Sequence, residues 1–341
     1  MSESTYWQRV AAGAGVNRRA FLSASALTGV GTAAFLAGCR SNTKSETAGS
    51  GGTSSGPATA LYANPAAKKG GSLGYAGLDP TTGWDIHAST ADNTIRATEN
   101  THIKLVRHDY TGNKGPWKAG NEEAVIGELA EKWENPDPLT YTITLRKGLN
   151  WPDQEPAKGR PIVASDVTET FAHAMLPTSQ VQTYVYDNLD TVTAVDDYTV
   201  RIKLKQPNFF FPSDIDSVSS LILPKGYYDW AGKDAKDPSK ARGGGPWLLA
   251  DYQPNSVVRY KPNEAYRKVF GVPYADNMNI AILAGGSPKL QAFIAKNLDI
   301  FNPLAGELDP AKKGRADSKV VEEAYIGGAG TSISIKSTQK P

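Results

Sequence analysis

Cysteine is all but missing from this chain. Its 341 residues hold one, Cys39, so no disulfide can form within it and stability must rest on packing. Surplus charge is missing too, with 37 Lys and Arg against 35 Asp and Glu. Without a basic excess, neither nucleic acid nor an anionic membrane surface is expected as a partner. Histidine is scarce, and His87, His102, His108 and His173 show no metal-ligand spacing with cysteine or carboxylates, so no zinc and no other cofactor are expected. The folded body also lacks a His-Glu-x-x-His helix, a phosphate loop and an ordered Ser/His/Asp set, which leaves no catalytic constellation to build on.

What is present begins with an address. Arg18-Arg19-Ala20-Phe21-Leu22 opens the one soft apolar run, which ends at Leu36-Ala37-Gly38-Cys39. Positive charge, an apolar stretch and small residues at its end make an export signal, and the twin arginine points to the twin-arginine route. The Leu-Ala-Gly-Cys ending resembles the box at which bacterial lipoproteins are cleaved and acylated, which would moor Cys39 in a membrane. The alternative is a retained membrane-spanning helix over residues 20–38, long enough for the purpose. Ser23, Ser25, Thr28, Gly29, Gly31 and Thr32 dilute such an anchor, so a cleaved signal over residues 1–38 is preferred. That segment carries the whole formal charge of +2, and the remainder is neutral. Residues 39–69 then hold the lipidated cysteine and a Ser/Gly/Thr tether, whose 19 residues from 40 to 58 would reach roughly 25 Å. Gly52-Thr53-Ser54-Ser55-Gly56 has the letters of a hydrolase elbow but lies in tether, without the strand and helix the elbow needs.

Order is predicted from about residue 70. Thr140 to Leu145 alternates strictly, with Tyr141, Ile143 and Leu145 on one face, and reads as a half-buried strand. Thr191 to Lys205 reads as a hairpin turning at Asp196-Asp197. Val167, Phe171 and Ala174 share one face of a helix capped by Ser165 and closed by Pro177. Ser287-Pro288 opens a second helix through Leu290, Phe293 and Ile294. Strands mixed with single helices make the body α/β or α+β.

The run from Gly127-Glu128-Leu129 through Leu139 to Trp151, followed by Pro161-Ile162-Val163-Ala164-Ser165-Asp166-Val167, resembles the bacterial extracellular solute-binding proteins of family 5. These are the oligopeptide- and dipeptide-binding receptors of ABC importers. Leu78-Asp79-Pro80, Gly244-Gly245-Pro246-Trp247 with Arg259 to Tyr266, and Leu290 to Ile300 agree in order. The resemblance implies an α/β, two-lobed periplasmic-binding-protein-like fold. It places the first lobe at residues 70–95 and 183–283, an extra small domain at 96–182, and the start of an incomplete second lobe at 284–341 after a crossing near 280–283. Members continue well past this point, so the chain reads as a receptor cut short.

The implied role is capture of a peptide or similar small solute outside the cytoplasmic membrane. The receptor would be monomeric and lipid-anchored, would deliver to ABC importer permease subunits, and would have no enzymatic step. A surface lipoprotein hydrolase and a non-functional remnant are the alternatives. The loop after Leu78-Asp79-Pro80 supplies the ligand-binding candidates Gly83, Trp84 and Asp85, an aromatic and a carboxylate suited to a cationic group. Trp247 and Tyr274 are further aromatic candidates. Trp247 serves equally well as a core plug, and Phe209-Phe210-Phe211 reads as core beneath a loop.

Overall fold

Tyr141, Ile143 and Leu145 are buried on one face of a strand, as their alternation predicts. The computed structural model describes residues 67–108, 125–181, 184–216, 220–283, 285–304, 306–323 and 332–337. Arg18, Arg19, Cys39 and the tether residues 40–58 lie outside the described residues, among which no helix is long and apolar enough to cross a membrane.

In chain order come strand β1 (Ser72–Gly77), helix α1 (Asp92–Glu99), and strands β2 (Ile103–Lys104), β3 (Val106–His108), β4 (Val125–Gly127), β5 (Ala130–Asp137) and β6 (Thr140–Leu145). Helix α2 (Ala164–Ala174) precedes strands β7 (Leu189–Asp196), β8 (Thr199–Leu204) and β9 (Leu221–Ile222), then helix α3 (Tyr227–Ala231). Strands β10 (Trp247–Gln253) and β11 (Val257–Pro262), helix α4 (Glu264–Phe270), strand β12 (Asn277–Ile282) and helix α5 (Gly286–Ile294) follow. The last elements are β13 (Ile300–Phe301), α6 (Leu308–Gly314), β14 (Ser318–Glu323) and β15 (Ser332–Ser337).

A seven-stranded sheet runs in the order β10-β11-β12-β1-β13-β15-β14. Its centre is parallel: β1 pairs with β12 from Ser72↔Asn277 to Gly77↔Ile282, and with β13 at Tyr75↔Ile300. Alternation along β1 separates two cores. Leu73 and Tyr75 face Trp84, Trp247, Tyr260 and Met278, whereas Ala76 faces Phe293, Phe301 and Ala311. A four-stranded antiparallel sheet, β5-β6-β8-β7, is covered by α2, whose Val167, Phe171 and Ala174 are fully buried.

Strand pairing revises two expected boundaries. The β7–β8 hairpin, expected in the first lobe from residue 183, instead completes the sheet of β5 and β6, with Tyr141 opposite Ile202 and Ile143 opposite Val200. All four side chains are buried, so this pairing covers two apolar faces together. The described residues beyond 283, expected to open a second lobe, return to the sheet of β1. There β13 lies parallel to β1, and β15 and β14 extend that edge. The physical reason is burial: Phe293, Leu298, Phe301 and Ala311 form one core against Ala76 and Ala281. Helix α2 also starts before Ser165. The Asp166 carboxylate accepts the Val163 N–H at 2.9 Å and closes the first turn in place of a serine cap.

The glycine run at 243–245 lies backbone to backbone against the segment that leads into β2. A Cβ on Gly243 would lie 2.1 Å from the Thr101 carbonyl oxygen, and one on Gly245 2.5 Å from that of His102. Only hydrogen fits at either place.

Candidate functional site

The parallel centre of the large sheet has a polarity that its connections expose. From β1 the chain passes to α1, whose Ala97 packs in the core of Trp84 and Trp247. From β12 and β13 it passes to α5 and α6, which pack on the opposite face through Phe293 and Ala311. Where neighbouring parallel strands send their connections to opposite faces, a crevice opens at their carboxyl ends, the usual place for a ligand in an open α/β sheet. Here the described residues that follow the strands are 78–91 after β1, Leu283 after β12, and 302–304 with 306–307 after β13.

The first of these segments is tied down along its length. The Asp79 carboxylate accepts the Tyr252 hydroxyl and, at 2.6 Å, the Asn255 N–H, which clasps the loop to the β10–β11 hairpin. Gly83 has φ of +97°, and a Cβ there would lie 2.8 Å from Lys236 Cβ. Its carbonyl accepts the Thr94 hydroxyl at 2.9 Å, and the next amide, of Trp84, donates to Lys236 O at 3.0 Å. These bonds hold the loop's path, so a ligand would meet a preformed surface.

Asp85 anchors a stacked polar cluster. Its Oδ1 accepts the His87 N–H at 2.9 Å and the Tyr228 hydroxyl at 2.7 Å. Having given its proton to Asp85, the Tyr228 oxygen accepts from His87 Nδ1 at 2.9 Å. That assigns the Nδ1–H tautomer to His87 and leaves Nε2 a buried acceptor with no partner among the described residues. The His173 ring stacks on Tyr228 at 3.6 Å. Burial, with the Asp85 carboxylate alongside, pushes the Tyr228 phenol far above its ordinary value, so it stays a donor.

Two buried imidazoles make stability depend on pH. Burial lowers His87 to about 3, helped by His173 and His102. Burial lowers His102 to about 4 against the raising effect of its hydrogen bonds to the Thr98 and Arg242 backbone. Both folded values lie below the ordinary 6.5, so between them the unfolded chain binds more protons. Stability is full above pH 6.5 and is lost as pH falls towards the folded values. Each ring should cost roughly 1 kcal/mol between about pH 6.5 and 5.5. Urea midpoints at the two pH values check this, and His102→Gln should flatten the dependence.

The remaining sequence candidates fall elsewhere. Trp84, only 1% exposed, is turned into the core beside Trp247 and meets Tyr252 edge-on at 5.7 Å. Trp247 is 7% exposed and stands opposite Pro262, level with the start of β12 and so away from the carboxyl ends. It borders a cavity of about 210 Å³ with Glu99, Asn100, Lys104, Arg107 and Asp216. Charges inside that cavity are matched within the protein: Lys104 Nζ lies 2.8 Å from Glu99 and 3.6 Å from Asp216. Tyr274 precedes β12, and its carbonyl accepts the Gly70 N–H at 2.9 Å at the amino-terminal edge of the sheet. Gly83, Trp84 and Asp85 therefore share one loop, while Trp247 and Tyr274 lie at the other end of the strands. Sequence reasoning missed the Tyr228–His87–His173 stack, because tyrosine and histidines more than 50 residues apart carry no local signal.

Residues 124–341 match the bacterial extracellular solute-binding proteins, family 5, in that family's middle region. The dipeptide-binding protein of Escherichia coli (strain K12) is 36% identical over 167 residues, 44% of this chain and 31% of that protein. Di/tripeptide-binding protein 1 of Pseudomonas aeruginosa (strain UCBPP-PA14) is 28% identical over 261 residues, covering 70% of this chain and 45% of that protein. The binding protein MoaA, solved with mannopinic acid, superposes with a TM-score of 0.62 at 25% identity, covering 75% of this chain and 49% of its own. The periplasmic binding protein DppA from Helicobacter pylori, solved with the peptide STSA, gives 0.61 at 23% identity, covering 75% and 51%. The chain thus spans about a third to a half of the length of these relatives.

Proposed function

This chain belongs to the bacterial extracellular solute-binding proteins of family 5, and from that premise we propose that it captures peptides or a similar small solute for an ABC importer. The observation that carries the reading is the family match over residues 124–341. Relatives whose names specify dipeptides and di/tripeptides add the ligand class. The role is binding without turnover. An extended peptide laid along the carboxyl ends of β12, β1 and β13 would be held chiefly by main-chain hydrogen bonds, which tolerate many side chains. Closure over the ligand would supply the form the permease subunits read.

The first lobe is taken as β1 with the strands from Trp247 on, and the extra domain as the four-stranded sheet with α2. Gly83 and Asp85 are retained as the loop positions nearest the ligand. Acylation at Cys39 and twin-arginine export through Arg18 and Arg19 complete the proposal, supported by sequence alone. They describe a monomeric receptor moored outside the cytoplasmic membrane.

The test is native mass spectrometry of the purified full chain with a pool of two- to nine-residue peptides. One peptide per chain is expected, with dissociation constants on the order of 1 µM. A folded chain that retains no peptide from the pool would overturn the reading.

A further inference from the structure

The segment between Trp84 and α1 is fastened to the protein by a stack of three rings drawn from three elements. His87 comes from the loop after β1, Tyr228 from α3 and His173 from the last turn of α2. Ring centroids lie 3.6 Å apart for His173 and Tyr228, 5.7 Å for His87 and Tyr228, and 5.3 Å for the two histidines. Every pair is within 24° of parallel. Hydrogen bonds close the stack: the Tyr228 hydroxyl to Asp85, His87 Nδ1–H to the Tyr228 oxygen, and the Gln180 N–H to the His87 carbonyl at 2.8 Å. Ile86 is buried with Leu221, Leu223 and Tyr227. The flanks are anchored separately, Trp84 in its own core and α1 through Ala97, so residues 85–91 can leave as a unit while both flanks stay.

This fastening suits one protonation state of His87, which is only 3% exposed. Its Nδ1–H is given to Tyr228, and its Nε2 is sealed in with no partner among the described residues. A second proton would make Nε2 a buried donor without an acceptor, on a cation 5.3 Å from the His173 ring. The titratable groups facing the pair are Asp85 on the same loop, Tyr227 and Tyr228 on α3, Glu169 and His173 on α2, and His102 ahead of β2. Arg242 acts on the cluster through Tyr227. Asp85 is engaged by Tyr228 and the His87 amide, and Glu169 accepts the Gly226 N–H at 2.5 Å. Both carboxylates favour a cation at His173, where burial works against them, and neither is bonded to His87 Nε2.

We propose that residues 85–91 form an acid-released clasp, in which protonation of His87 frees the segment from α2 and α3 while the sheets stay folded. This is a local opening, distinct from the loss of overall stability at low pH, and it is independent of which ligand the chain takes. Burial holds the fastened imidazole at about 3 against an ordinary 6.5, so release takes up a proton between those values and is favoured as pH falls. The opening constant should rise roughly tenfold between about pH 5.5 and 4.5.

Hydrogen exchange of the full chain followed by mass spectrometry, corrected for the intrinsic pH dependence of exchange, tests the clasp. Protection over residues 85–91 and 177–181 should fall roughly tenfold across that pH unit, while β6 and β8 remain far better protected. His87→Asn, whose amide can still donate to Tyr228 but does not titrate, should abolish the fall. His102→Gln, which removes the other buried imidazole, should leave it. Constant protection in the wild-type chain overturns the proposal, and that comparison needs no variant to fold. An unaltered fall in His87→Asn, or one abolished by His102→Gln instead, also overturns it. So does exchange of β6 and β8 in step with the segment, because the whole protein would then be unfolding.

Discussion

Asp166→Ala is expected to lower the free energy of unfolding by about 3–5 kcal/mol, the range for stripping one partner from a buried ion pair. Asp166 is wholly buried yet accepts five bonds: from Trp151 Nε1 at 3.1 Å, from Arg160 at 2.9 and 2.6 Å, and from the Val163 and Lys225 amides at 2.9 and 2.7 Å. The carboxylate is small, so the lost packing is minor. The dominant cost is leaving buried donors without an acceptor. It also sits in the first turn of α2, where negative charge favours the helix dipole. Asp166→Asn should fall between, because its oxygen still accepts while its amide hydrogens face other donors. Urea unfolding followed by circular dichroism measures the series. An alanine variant within about 0.5 kcal/mol of wild type, the range of ordinary surface substitutions, would show that the bonds do not hold in solution.

The second large effect is predicted at Glu128, also wholly buried. Its carboxylate accepts the Lys104 amide at 2.9 Å, Arg107 at 2.6 Å and the Tyr266 hydroxyl at 2.7 Å. It therefore ties β2 and β3 to α4. Glu128→Ala should cost about 3 kcal/mol or more, whereas Tyr266→Phe, which removes one donor and leaves the carboxylate two others, should cost about 1 kcal/mol. In the double variant the tyrosine change should add little, since its acceptor is already gone. Strict additivity of the two losses would refute the bond.

Both residues lie in stretches readable at sight, Gly127-Glu128-Leu129 and Ser165-Asp166-Val167, and both are structural. Local periodicity located β6, the β7–β8 hairpin and α2, because alternate burial and a 3.6-residue stripe are properties of neighbours in sequence. It did not find that β13 lies beside β1. Two residues, Ile300 and Phe301, carry no period, and their partner Tyr75 is remote in the chain. The loop after β1 was recognisable as a candidate site, but the facing of its side chains was not. Trp84 turned inward because an apolar core was available beneath the loop, and Asp85 was taken up by Tyr228, 143 residues away.

By itself the sequence determined the α/β class, the principal strands and helices, and the family whose members bind solutes. Those follow from the order of residue types along the chain. Only the tertiary structure decided that residues beyond 283 rejoin the first sheet and that Asp79 and Asp85 brace the loop. Such choices depend on which distant surfaces can be buried together, as where the Gly74 amide meets Asp299 across 225 residues of chain.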